Sequence, residues 1–218
     1  MKKLGTGLLA ASALLVAGTA SAELPDWTYV QAGYYQADST GKDQTDGFTV
    51  AGSLGFLDVW HIQADYINGS LGIGPINNDF DGYQIALGAH PAITESTQLV
   101  VNGIYFDSNV DIDNADNINR DGYGAGVGFR SNVTDKVEAS AVGYWTYENI
   151  DKSPFNICNS SSDNCDATNV SLVLAGRYNW TKDFSTGATL TLGDAVIGGG
   201  SSDSMNIDER WTFGGFSL

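Results

Sequence analysis

Apolar residues at every second position, in run after run, constrain this chain more than any other feature of its sequence. Phe48, Val50, Leu54 and Phe56 stand on one side of an extended segment, with Thr49, Ala51 and Ser53 on the other. Trp60, Ile62, Ala64 and Tyr66 then oppose His61, Gln63 and Asp65. The pattern returns with Tyr83, Ile85 and Leu87, with Tyr123, Val127 and Phe129 opposite Gly122, Gly124, Gly126, Gly128 and Arg130, and with Val170, Leu172 and Leu174 opposite Ser171 and Arg177. Val137, Ala139, Ala141 and Trp145 oppose Lys136, Glu138 and Ser140. Side chains of an extended strand alternate between two faces, so a period of two is the mark of a strand with two different environments. No stretch after residue 22 has a helical period, which makes the chain all-β. Weaker runs at about 27–37, 97–107, 184–192 and 209–218 bring the expectation to about ten strands, with eight the alternative if the weak runs are loops.

The connections alternate in length. Short ones are expected near Leu57-Asp58, Pro91 to Ser96, Asn132 to Asp135 and Thr181 to Asp183; long polar ones near 38–46, 68–80, 108–120, 149–167 and 193–207. Turns at one rim and loops at the other describe an antiparallel up-and-down barrel. The triplets Asp46-Gly47-Phe48, Asp81-Gly82-Tyr83 and Asp121-Gly122-Tyr123 form a loose repeat, expected to end each long loop and set an aromatic ring at the rim.

The N-terminus opens with Lys2 and Lys3, runs through the apolar stretch Leu8 to Ala17 and ends in Ala20-Ser21-Ala22, the pattern of a secretory signal peptide over 1–22 that is cut before Glu23. The apolar run is too short to span a bilayer as a helix. Residues 23–218 are expected to form one barrel domain.

Alternation does not by itself say which face is outside. Aromatics cluster near strand ends, as in Phe48 and Phe56, Trp60 and Tyr66, Tyr123 and Phe129, and this suits two interfacial girdles. The opposite face is rich in Gly, Ser, Thr and Gln, with scattered charges, which suits a hydrated interior. Strands near the 9–11 residues that cross a bilayer obliquely complete the case for a transmembrane barrel over a soluble periplasmic one.

With this pattern the chain resembles the small outer-membrane β-barrel proteins of Gram-negative bacteria, the porin-family and opacity-like group. The segment Trp211-Thr-Phe213-Gly-Gly-Phe216-Ser-Leu218 looks like their closing-strand signal, in register either as Phe216 with Leu218 or as Trp211 with Phe213, although it ends in Leu. The resemblance implies outer-membrane location and insertion by the barrel-assembly machinery, with outer-membrane lipid and lipopolysaccharide as surroundings.

Formal net charge is -16, and two of the ten cations are Lys2 and Lys3, so the exported chain is more acidic still. Such a surface repels nucleic acid. Asp38, Asp43, Asp46, Asp107, Asp111, Asp113, Asp116, Asp163, Asp166, Asp203 and Asp208 are all expected in loops. Cys158 and Cys165 bracket one polar segment and read as a disulfide in an oxidising compartment. The run containing Asp111, Asp113 and Asp116 has the composition of a calcium loop but lacks the fixed glycine and closing acid of an EF-hand, so an ordinary solvated loop is the expectation. Gly198 to Gly200 has no lysine and no following helix, hence no phosphate cradle.

His61, Gln63, Asp65, Arg130, Lys136, Glu138 and Arg177 are the expected lumen-lining residues. The two histidines after residue 22, His61 and His90, lie beside short turns, and a structural hydrogen bond suits them better than a catalytic one. No cofactor motif is present. The expected protein is a non-enzymatic barrel whose acidic loops meet its environment, with a narrow solute channel and a soluble ligand-binding barrel as rivals.

Overall fold

The computed structural model describes residues 23–38, 44–73, 76–111, 117–151, 164–193 and 203–213. The described residues form ten strands: β1 Tyr29–Asp38, β2 Gln44–Phe56, β3 Trp60–Ile73, β4 Ile76–Ala89, β5 Thr97–Asp111, β6 Ile118–Thr134, β7 Val137–Asp151, β8 Asn164–Asn179, β9 Phe184–Gly193 and β10 Asp203–Thr212. Each pairs antiparallel with its sequence neighbours, and β1 pairs with β10, so the sheet closes and has no edge. A closed sheet satisfies every ladder N–H and C=O internally, the condition for crossing lipid with strands.

The apolar face is the outer one. Val30, Val50, Ile62, Ile85, Leu87, Val101, Val127 and Val170 are all exposed on the exterior, Val170 at 62%. A soluble barrel would bury these side chains. Here they make a belt whose solvent is hydrocarbon, so this is a transmembrane barrel of the outer-membrane type. Aromatic rings bound the belt on both sides. On the loop side one row runs across seven consecutive strands: Tyr34 pairs with Phe48, Tyr66 with Tyr83, Tyr105 with Tyr123 and Tyr123 with Tyr147. Ring centroids lie 6.3 Å apart for Phe48–Tyr66, 6.4 Å for Tyr83–Tyr105 and 5.4 Å for Tyr123–Tyr147. At the turn side Trp60, Tyr178, Trp180, Phe184 and Trp211 form the second row, with Tyr178–Trp180 at 4.7 Å and Phe184–Trp211 at 5.5 Å. Trp211 and Phe213 are both exposed; Phe216 and Leu218 lie outside the described residues.

Strands β2 to β8 are longer than a membrane crossing requires, from 13 residues in β2 to 17 in β6. The segments expected as long loops at 68–80 and 108–120 are largely paired strand: β3 and β4 remain in register up to Ile73 opposite Ile76, and β5 and β6 up to Val110 opposite Ile118. Above the bilayer both faces of a strand meet water or polar neighbours, so pairing continues after the hydrophobic alternation has stopped. For the same reason the Asp-Gly-aromatic triplets do not open strands but sit inside β2, β4 and β6, each placing its ring in the loop-side girdle. The last strand begins at Asp203, not near 209.

The turns are tight. Leu57 and Asp58 have φ of 50° and 61°, the left-handed region, where the β2–β3 connection reverses. Lys136 lies in the β6–β7 turn, exposed, and not in the lumen wall as its alternation with Glu138 implies; after a register shift between Asn132 and Thr134 the ladder closes at Thr134 opposite Val137, and Lys136 lies between them. Cys158, Asp43, Asp113, Asp116 and Asp163 lie outside the described residues, as do residues 1–22. Cys165 stands on β8 opposite Ile150, and Asp111 at the end of β5 accepts hydrogen bonds from Asn109 and Asn117.

Candidate functional site

All four arginines of the sequence, Arg120, Arg130, Arg177 and Arg210, face the lumen, whereas Lys136 and Lys182 are exposed at turns. The division follows their chemistry. A guanidinium holds its charge when buried and offers a planar fork to carboxylates, while an ammonium is strongly hydrated.

The periplasmic end of the lumen is filled. Trp27 precedes β1 and turns inward, only 7% exposed, where its ring stacks on His61 at 3.9 Å and on His90 at 4.8 Å. Its indole Nε1 donates to Gln98 Oε1 at 2.8 Å, and the Arg130 guanidinium lies 4.6 Å from its centroid. The two histidines meet through their Nδ1 atoms at 3.1 Å, and His61 Nε2 contacts Asn102 Oδ1 at 3.0 Å. Asn102 Nδ2 in turn donates to the Tyr144 hydroxyl at 3.1 Å. The segment that carries Trp27 is tied down on both sides: Asn132 Nδ2 donates to the Glu23 carbonyl at 2.6 Å, and the Phe213 amide donates to the Thr28 carbonyl at 2.9 Å.

Above this stack comes an ionic layer. Arg130 and Glu138 form a two-pronged pair, 2.9 Å on each prong, and Arg210 reaches the same carboxylate at 3.3 Å. Arg210 also lies 4.0 Å over the Tyr29 ring and donates to Gln31. Arg177 bonds Asp208, Ser185 and Gln31. Asp208, expected in an acidic loop, is thus a buried lumen group; its neighbour Glu209 faces out, and the polar run that suggested a loop is the start of β10.

Beyond the ionic layer, toward the loops, the lumen opens into a cavity of about 610 Å³ whose lining includes Tyr29, Tyr35, Gln63, Asp65, Tyr144 and Arg210. That volume is in the range of small-molecule pockets. Its outer margin carries a third ion pair, Arg120 with Glu148 at 2.5 and 2.8 Å, to which Asn169 donates at 2.6 Å. A smaller cavity of about 130 Å³ lies at the level of Arg130, Glu138 and Asn102.

Of the residues expected in the lumen, His61, Gln63, Asp65, Arg130, Glu138 and Arg177 are there, and Lys136 is not. The inner-face glycines do not leave empty space: a Cβ at Gly126 would meet the Tyr144 ring, and one at Gly122 would meet Phe106 and neighbouring backbone. They let those rings lie flat against the wall. Sequence reasoning missed Trp27, read as the start of a strand; Pro25 and Asp26 before it were the signal that the chain bends there. It also missed the inward roles of Arg120, Glu148, Asp208 and Arg210, which lie where apolar alternation is weak.

Neither a family model nor a curated protein matches this chain in sequence. Solved barrels match in shape. The attachment invasion locus protein Ail of Yersinia pestis, in complex with the heparin analogue sucrose octasulfate, is 10% identical with a TM-score of 0.41, covering 85% of this chain and 97% of that one. The KdgM porin is 10% identical with a TM-score of 0.41, covering 84% and 99%. LpxR from Salmonella typhimurium is 9% identical with a TM-score of 0.47, covering 85% and 84%. The likeness is one of fold, and the reading of the lumen rests on this chain's own residues.

Proposed function

We propose that this protein is a non-conducting, non-enzymatic barrel of the bacterial outer membrane that presents an outward-facing polar cup and an acidic rim to the cell's surroundings. The observation that carries this reading is the double closure of the periplasmic half, Trp27 stacked on His61 and His90 below and the Arg130–Glu138–Arg210 cluster above it. A hydrated ion crossing the lumen would have to displace a packed indole and separate a buried ion pair, and breaking such a pair costs several kcal/mol, roughly 3–5.

The same packing supports a binding role over an enzymatic one. His61 and His90 bond to each other and lie under Trp27, away from the cup, while Glu138, Glu148 and Asp208 are each engaged by arginine. A general base must reach its substrate's proton, and these groups are spent on the wall. On the outer face, Asp46, Asp81, Asp107, Asp121 and Asp166 stand in strands just past the loop-side aromatic row, and Tyr34 donates to Asp46 at 3.1 Å. The acidic rim therefore belongs to the strands as well as to the loops. Beside lipopolysaccharide phosphates these carboxylates favour bridging divalent cations.

Planar-bilayer recording tests the reading. The purified full-length barrel is expected to insert, as judged by its heat-dependent shift on SDS gels, and to remain silent. Steady single-channel steps from the wild type, altered by Glu138→Gln, would establish the channel reading instead.

A further inference from the structure

Of the four carboxylates that face the lumen among the described residues, three have an arginine and the fourth does not. Glu148 holds Arg120, Asp208 holds Arg177, and Glu138 holds both Arg130 and Arg210. Asp65, on the wall of the large cavity, accepts only from the amide of Gln63, at 2.9 and 3.0 Å, and among the described residues no cationic side chain forms an ion pair with it. Going round the barrel by register, Arg210 opposes Gln31, Gln31 opposes Ala51 and Ala51 opposes Asp65. Three strand spacings make that separation about 14 Å at the backbone. The surplus positive charge of the ionic layer is therefore held apart from the unpaired negative charge above it.

A carboxylate facing a low-dielectric wall without a cation is costly, and the cost is relieved when a cation arrives from outside. Asp65 is also prepared to receive one. Tyr29 donates to Gln63 Oε1 at 3.2 Å, which turns the Gln63 amide nitrogen toward the carboxylate and leaves further lone pairs of both oxygens open to the cavity. Tyr29 and Tyr144 line the same cavity, and Tyr144 is held by Asn102. The Tyr29 ring already carries the Arg210 guanidinium, so Tyr144 is the aromatic ring left to a ligand beside the carboxylate; such a ring favours an organic ammonium ion over a hydrated metal ion, since it attracts the charge while accepting apolar substituents.

We infer that the cup binds a small solute bearing an ammonium group, with Asp65 as its counter-ion, positioned by Tyr29 through Gln63, and with Tyr144 beside it. This rests on the cup reading proposed above and names its ligand chemistry.

The test is isothermal titration of the full-length barrel in detergent micelles with benzylamine and with its neutral counterpart benzyl alcohol. Benzylamine is expected to bind at least tenfold more tightly than the alcohol. Asp65→Asn is expected to weaken benzylamine at least tenfold, whereas Asp81→Asn on the outer face leaves it unchanged. Equal binding of amine and alcohol, no binding of either, or benzylamine binding unchanged in a folded Asp65→Asn or lost as much in Asp81→Asn overturns the inference. The comparison of the two probes is made on the wild type, so it stands even where Asp65→Asn fails its heat-shift control. A silent bilayer without benzylamine binding removes the ligand assignment alone, whereas a conducting wild type removes the closed cup.

Discussion

Arg130 and Glu138 meet fork to fork inside the barrel, with Nε to Oε1 and Nη2 to Oε2 both at 2.9 Å. The pair is nearly dry, its side chains 6% and 11% exposed, and Glu138 is also the acceptor for Arg210. Removing the carboxylate would leave two buried guanidinium groups without it. Glu138→Ala is expected to destabilise the folded barrel by about 3–5 kcal/mol. Urea titration of the heat-modifiable gel band measures this, and a midpoint equal to the wild type's would show that the ionic layer does not hold the wall together.

Trp27 closes the periplasmic mouth from a segment outside the ladder, so it can be truncated without touching a strand. Trp27→Ala is expected to convert a silent barrel into one that shows steady conductance steps, since the indole leaves a gap between His61, His90 and Arg130. A bilayer that stays silent with the folded variant would assign closure to the ionic layer alone.

Acid should loosen the same plug. His90 follows β4 at the periplasmic turn, and its pKa is lowered from 6.5 to about 4, first by burial and then by the Arg130 charge, against a hydrogen bond that the imidazole donates to the Asp58 backbone and the charge of Asp26. Trp27 and His61 cover its other sides. The folded state thus keeps His90 neutral while an unfolded or opened segment protonates near 6.5. Stability is full above pH 6.5 and falls as pH drops from there to about 4. Trp27 fluorescence is expected to change across that window in the wild type and to change less in His90→Gln.

The lipid face and the turns should respond oppositely to charge. Val127 is 59% exposed on the apolar belt, and Val127→Arg is expected to cost about 2–4 kcal/mol for folding into lipid vesicles, the range for a cation near the midplane. Lys136→Gln, at an exposed turn, is expected to leave folding unchanged. Equal effects would contradict the placement of the belt or of Lys136.

Gly126 supports Tyr144. A side chain there collides with the Tyr144 ring, so Gly126→Val is expected to displace the ring, break its hydrogen bond with Asn102 and weaken benzylamine binding while the gel shift persists. Unchanged binding would show that Tyr144 is not part of the cup.

The lipid belt was legible because hydrocarbon on one side and a polar lumen on the other impose strict alternation: Phe48 to Phe56 and Tyr123 to Phe129 take the faces their spacing assigns. Legibility fails where that contrast ends. Past Tyr66 and Tyr105 neither face meets lipid, so the polar ends of β3 and β5 carry no period and read as loop, although register with their neighbours holds them in the sheet. Asp208 and Arg210 were obscured for a related reason: β10 opens with Asp203-Ser-Met-Asn, and few apolar positions announce a strand. Lys136 shows the opposite error, an alternation extended one residue too far into a turn. In the site, Arg130, Glu138 and Asp65 could be placed in the lumen by parity, but their partners could not, because pairing across a barrel depends on register and on which strands close, and Trp27 belongs to no strand at all.

Among the described residues the wall is uneven in height, and its tallest paired part is attached to the plug. β3 and β4 continue to Ile73 and Ile76, seven residues past Tyr66 and Tyr83, or about 23 Å along the strand. At its other end β3 carries His61, and β4 runs directly into His90. The outermost paired blade and the two rings that clamp Trp27 are opposite ends of one hairpin. A load applied to that blade from outside is borne by two paired rods whose far tips grip the stopper, so one hairpin links the cell's exterior directly to the periplasmic mouth.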